Sequence, residues 1–371
     1  MKHTQKLKDL LEKLENADPP ETRIFVDGLW YECNPKTGTA EVYLHNQQCA
    51  GNILIPAIIY HGGRKWKVVE ISDMAFQSCE NLQSVLISKG ITRIGDHAFA
   101  KCHNLKKISL PDSLHSIESY SFYDCTSLAR IDIPKNVSYI HPTAFSVCPE
   151  LHIYVDKENP VYDSRENCQA IIETATNTLY AGNKFTKIPS SVTNIGKYAY
   201  NGCLGIKEMI IPEGIESIGF MAFGNGSSTT LSSICSIVIP ESVVKIESAF
   251  SFNKNLKSVI WNAINCRETI FDMGEHSCAP FVDTGVTSFV LGPKVEHIPS
   301  LLFKDMNKLK SLIIPPSVKT IADNAFHCCR KLTHVQVPQH LYTRAKEMFG
   351  TQTGIHVYSK KEEEVLFPKS E

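Results

Sequence analysis

The chain has 371 residues, with 38 Lys and Arg against 39 Asp and Glu, for a formal net charge of −1. No run of basic residues is long enough to follow a phosphate backbone, which argues against nucleic-acid binding. No stretch of about 20 apolar residues occurs, so no membrane-spanning helix is expected.

The chain opens with "MKHTQKLKDLLEKLENADPP", where Leu7, Leu10, Leu11 and Leu14 fall at helical spacing among charges. This predicts an amphipathic helix over residues 1–20, without the unbroken apolar core of a secretory signal, so export by the common route is not expected. Residues 21–70 contain "RIFVDGLWYECN", "TAEVYLH", "NILIPAIIY" and "KWKVVEI", which alternate as strands. They read as a β-rich N-terminal cap over the first coil of a stacked array, because an open sheet edge invites aggregation.

From residue 71 a repeat takes over. Phe76, Phe99, Phe122 and Phe145 recur at intervals of 23, and so do Cys79, Cys102, Cys125 and Cys148, and Leu82, Leu105, Leu128 and Leu151. A fixed period of this size marks a stacked repeat protein, which lengthens by adding coils, so the chain length does not count domains. Leu105, Ile108 and Leu110 follow L-x-x-I-x-L, a strand pattern, and Pro111 ends the strand because it has no amide to donate. Leu114 and Ile117 turn inward, and Ser121 and Phe122 begin the next outer turn. The small residue before each phenylalanine (Ala75, Ala98, Ser121, Ala144) permits a tight turn, and the rings are expected to stack in a column.

The solenoid is expected over residues 71–340, with a hairpin insertion at 152–187 and loop insertions at 224–236 and 262–280. Phe223 and Phe326 continue the anchor column beyond the insertions. Within the hairpin, Ala170-Ile171-Ile172 and Thr178-Leu179-Tyr180 flank "ETATN". Residues 341–358 read as a C-terminal cap with a closing helix in "LYTRAKEMFG", and residues 359–371 as a disordered tail. The repeat is expected to give an α/β repeat solenoid with a strand and a short helical or 3-10 turn in each coil.

Thirteen cysteines would suggest a disulfide framework in a short secreted chain. Here Cys79, Cys102, Cys125, Cys148, Cys203 and Cys329 hold one repeat position. Side chains in a stacked row point the same way, which disfavours bridges, and a straight row cannot surround a tetrahedral metal. Buried free thiols acting as small hydrophobes are the preferred reading, with bridges or metal as the alternative.

Proline after the strand, A-F-x-x-C on the outer turn and a 23-residue period resemble the BspA-like leucine-rich-repeat family, most plainly in "IPKNVSYIHPTAFSVCPELHI", Ile133 to Ile153. The resemblance covers roughly residues 50–340. It implies a curved right-handed leucine-rich-repeat solenoid with a parallel concave β-sheet and short helical or 3-10 turns on the convex side, and protein-binding roles, including bacterial surface adhesion to host matrix proteins. The absent signal pattern points instead to an intracellular scaffold or adaptor.

Catalytic candidates are few. "GEHSCAP" holds Glu275, His276 and Cys278, the elements of a thiol nucleophile on one loop. His327 and Cys328 adjoin repeat residue Cys329, and Asp163 to Glu166 reads as a solvated turn. There is no phosphate loop and no H-E-x-x-H. The reading is therefore a non-catalytic protein-interaction module with a protein partner and no cofactor or metal, and a thiol enzyme at 275–278 as the remote alternative.

The informative surface is the slot between the last two strand anchors, which points out of the sheet. Coil by coil it reads Leu86, Ser109, Asp132, Ile210, Val238, Ile260, Val290, Ile313 and Gln336. Its neighbouring row is polar throughout, with Ser236, Ser258, Ser288 and Ser311 beside the aliphatic members. The stripe Ile210, Val238, Ile260, Val290 and Ile313 is the candidate partner-binding site. Two readings of it stand: β-branched residues simply suit a parallel sheet, or a contiguous apolar strip marks a contact.

Overall fold

The computed structural model describes residues 22–43, 49–224, 233–267, 269, 279–349 and 353–368. Each coil contributes a backbone segment to three columns. The first is the main sheet, where L-x-x-I-x-L segments pair in parallel, as in Asn81–Ile87 with Lys107–Ser109 and Arg130–Ile133 with His152–Val155. The alternation of the pattern sends Leu105 and Ile108 inward and leaves Lys107 and Ser109 in solvent. The second column is a ladder of two-residue strands after the proline, with Arg93–Ile94, Ser116–Ile117 and Tyr139–Ile140 side by side.

The third column, the outer turn, differs from the expected helical or 3-10 turns. The residues two before and two after the phenylalanine are left-handed: His97 (φ 55°) and Lys101 (φ 60°) flank Phe99, and Tyr120 (φ 52°) and Asp124 (φ 59°) flank Phe122. A right-handed helix cannot contain such residues. They alternate the direction of the amides. Ala98, Ala100 and Cys102 donate within the turn, to Gly95, His97 and Phe99, at 3.0–3.3 Å. His97, Phe99 and Lys101 donate to Ser119, Ser121 and Tyr123 of the next coil at 2.7–2.9 Å. The outer turns are thus stitched coil to coil by hydrogen bonds a helix would have kept to itself. The 3-10 turns among the described residues, Arg165–Asn167 and Gln339–Leu341, lie at the insertion and at the closing coil.

Inside these columns the phenylalanine rings stack nearly parallel. Phe76, Phe99, Phe122 and Phe145 follow one another at 5.0, 5.4 and 5.5 Å. Tyr200, Phe223, Phe250 and Phe281 form a second run at 5.1, 5.2 and 5.0 Å. The cysteine column is a hydrogen-bond column. The thiols of Cys102, Cys125 and Cys148 donate to the carbonyls of Phe76, Phe99 and Phe122 of the preceding coil at 3.1, 3.1 and 3.0 Å.

The hairpin at 152–187 divides the interior. Ile171–Glu173 and Thr178–Ala181 pair antiparallel, and Thr178–Ala181 then pairs in parallel with Asn194–Ile195 of the resumed second column. Ile171 belongs to the N-terminal core and Ile172 to the C-terminal one.

At the N-terminal end Arg23–Val26, Leu29–Asn34 and Thr39–Val42 pair antiparallel in sequence, while Ala50–Ile55 already joins the main sheet beside Asn81–Ile87. At the other end come helix α1 (Tyr342–Phe349), strand Gly354–Val357 in parallel with His334–Val337, and helix α2 (Lys360–Leu366). Over Lys360–Leu366, helix α2 corrects the expectation of a disordered tail at 359–371, of which residues 369–371 lie outside the described residues. Its start is a capping box: the Ser359 hydroxyl accepts from the Glu362 amide at 3.3 Å, and the Glu362 carboxylate accepts from the Ser359 amide at 2.6 Å. The expected N-terminal helix at 1–20 and the core of each loop insertion lie outside the described residues.

Candidate functional site

The stripe is built by register. Ile210 faces Val238, Val238 faces Ile260, and Ile260 faces Val290 across successive parallel pairs. Ile210 is 70% exposed, Val290 51% and Ile260 39%; Val238 and Ile313 are half-buried. Ser236, Ser258 and Ser288 pair in the row beside it. The N-terminal half of the same face is different. Arg130 grips Asp132 through three hydrogen bonds and lies over the Tyr154 ring at 4.3 Å, so the face of these two coils is occupied by its own charges.

A break interrupts the stripe between Val290 and Ile313. Ser288–Leu291 and Ser311–Ile313 belong to separate hydrogen-bonded sheets. The ring column breaks at the same place: Phe281 meets Phe289 edge-on at 5.7 Å, and Phe289 rather than Phe281 meets Phe303, at 4.7 Å. Phe289 occupies the inward strand slot that holds Val259 in the coil before and Leu312 in the coil after. Where the two sheets part, the face carries a groove of about 280 Å³ lined by Val290, Ile313, Leu366 and Phe367. The last two come from α2 and its end, in the segment expected from sequence to be a disordered tail. The S-x-x-E of Ser359 and Glu362 was the available signal. Leu54, 56% exposed and opposite Leu86 (52%), is a second unforeseen apolar contribution, hidden in sequence because it lies within the cap segment.

The repeat anchors are interior. Phe76, Phe99, Phe122 and Phe223 are almost wholly buried, Phe145 nearly so, and Phe326 packs partly buried at the end of the array. Cys79, Cys102, Cys125 and Cys148 are buried and free. Burial pushes the Cys102 and Cys148 thiols up to about 12, so at neutral pH they are protonated donors and poor nucleophiles.

Asp163 to Glu166 is not a solvated turn. The Arg165 guanidinium grips the Asp163 carboxylate at 2.6–3.1 Å and reaches Asn177 at 2.9 Å and Ser191 at 3.2 Å. It fastens the hairpin to the following coil. Partial burial works against ionisation of Asp163, but the hydrogen bonds from Arg165 outweigh it and hold the carboxyl below its ordinary range. His103 reaches Asp124 at 3.3 Å on the outer surface, and His327 is exposed. Glu275, His276 and Cys278 lie outside the described residues. Among the described residues no group of three or more His, Cys, Asp and Glu side chains could hold a metal ion, and no helix is long and apolar enough to cross a membrane.

Stacked coils, a parallel main sheet and a repeating proline turn define a leucine-rich-repeat solenoid. The chain belongs to the BspA type leucine rich repeat family, whose repeat region matches residues 67–168, 176–273 and 275–363. The pneumococcal vaccine antigen PcpA is similar in structure, with a TM-score of 0.57 at 18% identity, covering 91% of this chain and 98% of that one. A leucine-rich repeat protein from Eubacterium ventriosum gives a TM-score of 0.48 at 19% identity over 82% of this chain and 93% of its own. One from Bacteroides ovatus gives 0.43 at 21% identity over 91% and 100%. No curated protein sequence matches the chain.

Proposed function

We propose that this protein is a non-catalytic protein-binding module whose working surface is the stripe Ile210, Val238, Ile260, Val290 and Ile313. One observation carries the reading. Aliphatic side chains in adjacent registered strands stand exposed on a rigid sheet, and an exposed apolar strip rimmed by serines costs solvation unless something covers it. The β-propensity of Ile and Val explains strand formation but not why this row is apolar in five coils and polar in the coils of Ser109 and Asp132. The family's leucine-rich-repeat architecture supports the same reading, since such solenoids present extended surfaces to other proteins. The partner is read as a protein, and no cofactor is called for. Adhesion to host matrix proteins is the role the family resemblance implies, and an intracellular scaffold is the other.

The test is capture by the immobilised chain from two pools, purified host matrix proteins and the producing cell's lysate. The control is the variant Ile210→Lys/Ile260→Lys, which places two charges on the stripe away from α2. Capture lost in the variant with its melting temperature unchanged is the expected result, and the pool that supplies the partner decides between adhesin and scaffold. Undiminished capture by the variant would remove the stripe as the binding surface.

A further inference from the structure

Resting on that stripe as the binding surface, we propose that α2 is the chain's own occupant of it. The partner then brings the same chemistry, a short segment whose acidic run leads into an aliphatic–aromatic pair, and displaces α2 on binding. The path of the chain is the first support. Strand Gly354–Val357 pairs with His334–Val337, on the side away from Ser311–Ile313. Tyr358 is buried to 4% exposure, and its hydroxyl donates to the Ile314 carbonyl at 3.0 Å. Beyond this anchor the chain crosses back over the sheet, and Leu366 and Phe367 line the groove with Val290 and Ile313.

The second support is how little holds the helix there. None of the seven residues of α2 is buried; Val365 is 75% exposed and Leu366 36%. A helix this short is marginal in water on its own. Besides its capping box it is held by Leu366 and Phe367 in the groove, by Glu362 reaching His356 at 3.3 Å, and by the Phe367 ring 6.2 Å from that of Tyr358. The anchor at Tyr358 is buried, whereas these later contacts all lie at the surface, which is the construction of a displaceable cover. The third support is continuity. The cover reaches one end of the stripe only, and Ile260, Val238 and Ile210 continue from it in register. Charge agrees: Glu362, Glu363 and Glu364 precede the apolar pair in α2, while Lys207, Lys257 and Lys310 immediately precede three of the stripe strands, with Glu208 the acid among them.

The probe is the labelled peptide SKKEEEVLFP, residues 359–368, titrated into the full native chain and into the full chain carrying Leu366→Glu/Phe367→Glu. Both residues lie outside the two core clusters, so the variant is expected to melt like the native chain. A tethered segment works at an effective concentration of about 1 mM, so stable docking in the chain requires a free peptide Kd below roughly that value. The expected result is binding to the variant with a Kd below about 0.1 mM, at least about tenfold weaker binding to the native chain, and loss of binding when Ile313→Lys is added to the variant. No binding to the variant at about 2 mM, or equal binding to both chains, would overturn the proposal. If the peptide behaves as expected but Ile210→Lys/Ile260→Lys leaves partner capture intact, the stripe reading fails. The assignment of partner chemistry then falls with it, while self-occupation stands.

Discussion

Cysteine at the repeat position is more than a small hydrophobe. The sequence showed a column of buried free thiols, and that much follows from the 23-residue spacing. It did not show that the thiols of Cys102, Cys125 and Cys148 donate to the phenylalanine carbonyl 26 residues earlier, because the acceptor is a backbone atom of another coil. Cys125→Ala removes this bond to Phe99 and leaves a small cavity. Urea unfolding should show a loss of about 1–2 kcal/mol. The thiols also set a pH dependence. Burial raises Cys148 from 9.0 to about 12 in the folded chain. Between those values the unfolded chain holds fewer protons, so stability falls as pH rises from 9 towards 12. By pH 10 this amounts to about 1.4 kcal/mol for that thiol. The loss of unfolding free energy between pH 8 and pH 10 should therefore be smaller in Cys148→Ala by about that amount, and an equal loss in both proteins would contradict the assignment.

Strands and prolines were readable because they depend on local alternation and on a missing amide. The outer turns were not, since their conformation is decided by hydrogen bonds to the next coil. A-F-x-x-C resembles a helical turn only if those inter-coil bonds are ignored. Phe122 tests the column these turns carry. Its ring lies between Phe99 at 5.4 Å and Phe145 at 5.5 Å, with no exposure. Phe122→Ala should cost about 3–5 kcal/mol in chemical denaturation, since both neighbours lose a stacking face. A cost under about 1 kcal/mol would show that the coils close over the gap. Helix α2 was missed for a compositional reason: a charged tail without many apolar residues reads as disorder, and only the Ser359–Glu362 pair announces a helix start.

Across the molecule, the hairpin insertion separates two cores, and the strands that carry the apolar stripe send their inward residues into the C-terminal one. On the N-terminal half of the same face the exposed Leu54–Leu86 pair is cut off by Ser109 and by the Arg130–Asp132 ion pair, so binding is assigned to the longer C-terminal run. The stripe itself could be read from the sequence, because register follows from the repeat. The groove could not, because one of its walls is Leu366 and Phe367, brought there by a segment outside the repeat pattern. The most direct test of binding through this face compares the affinity of the captured partner for three chains by a surface-binding assay: native, Ile210→Lys/Ile260→Lys on the stripe, and Tyr139→Lys, an equally exposed position on the second column. The stripe variant should bind about 100-fold more weakly and the Tyr139 variant within about twofold of native. Equal affinity for the native chain and the stripe variant would contradict the account.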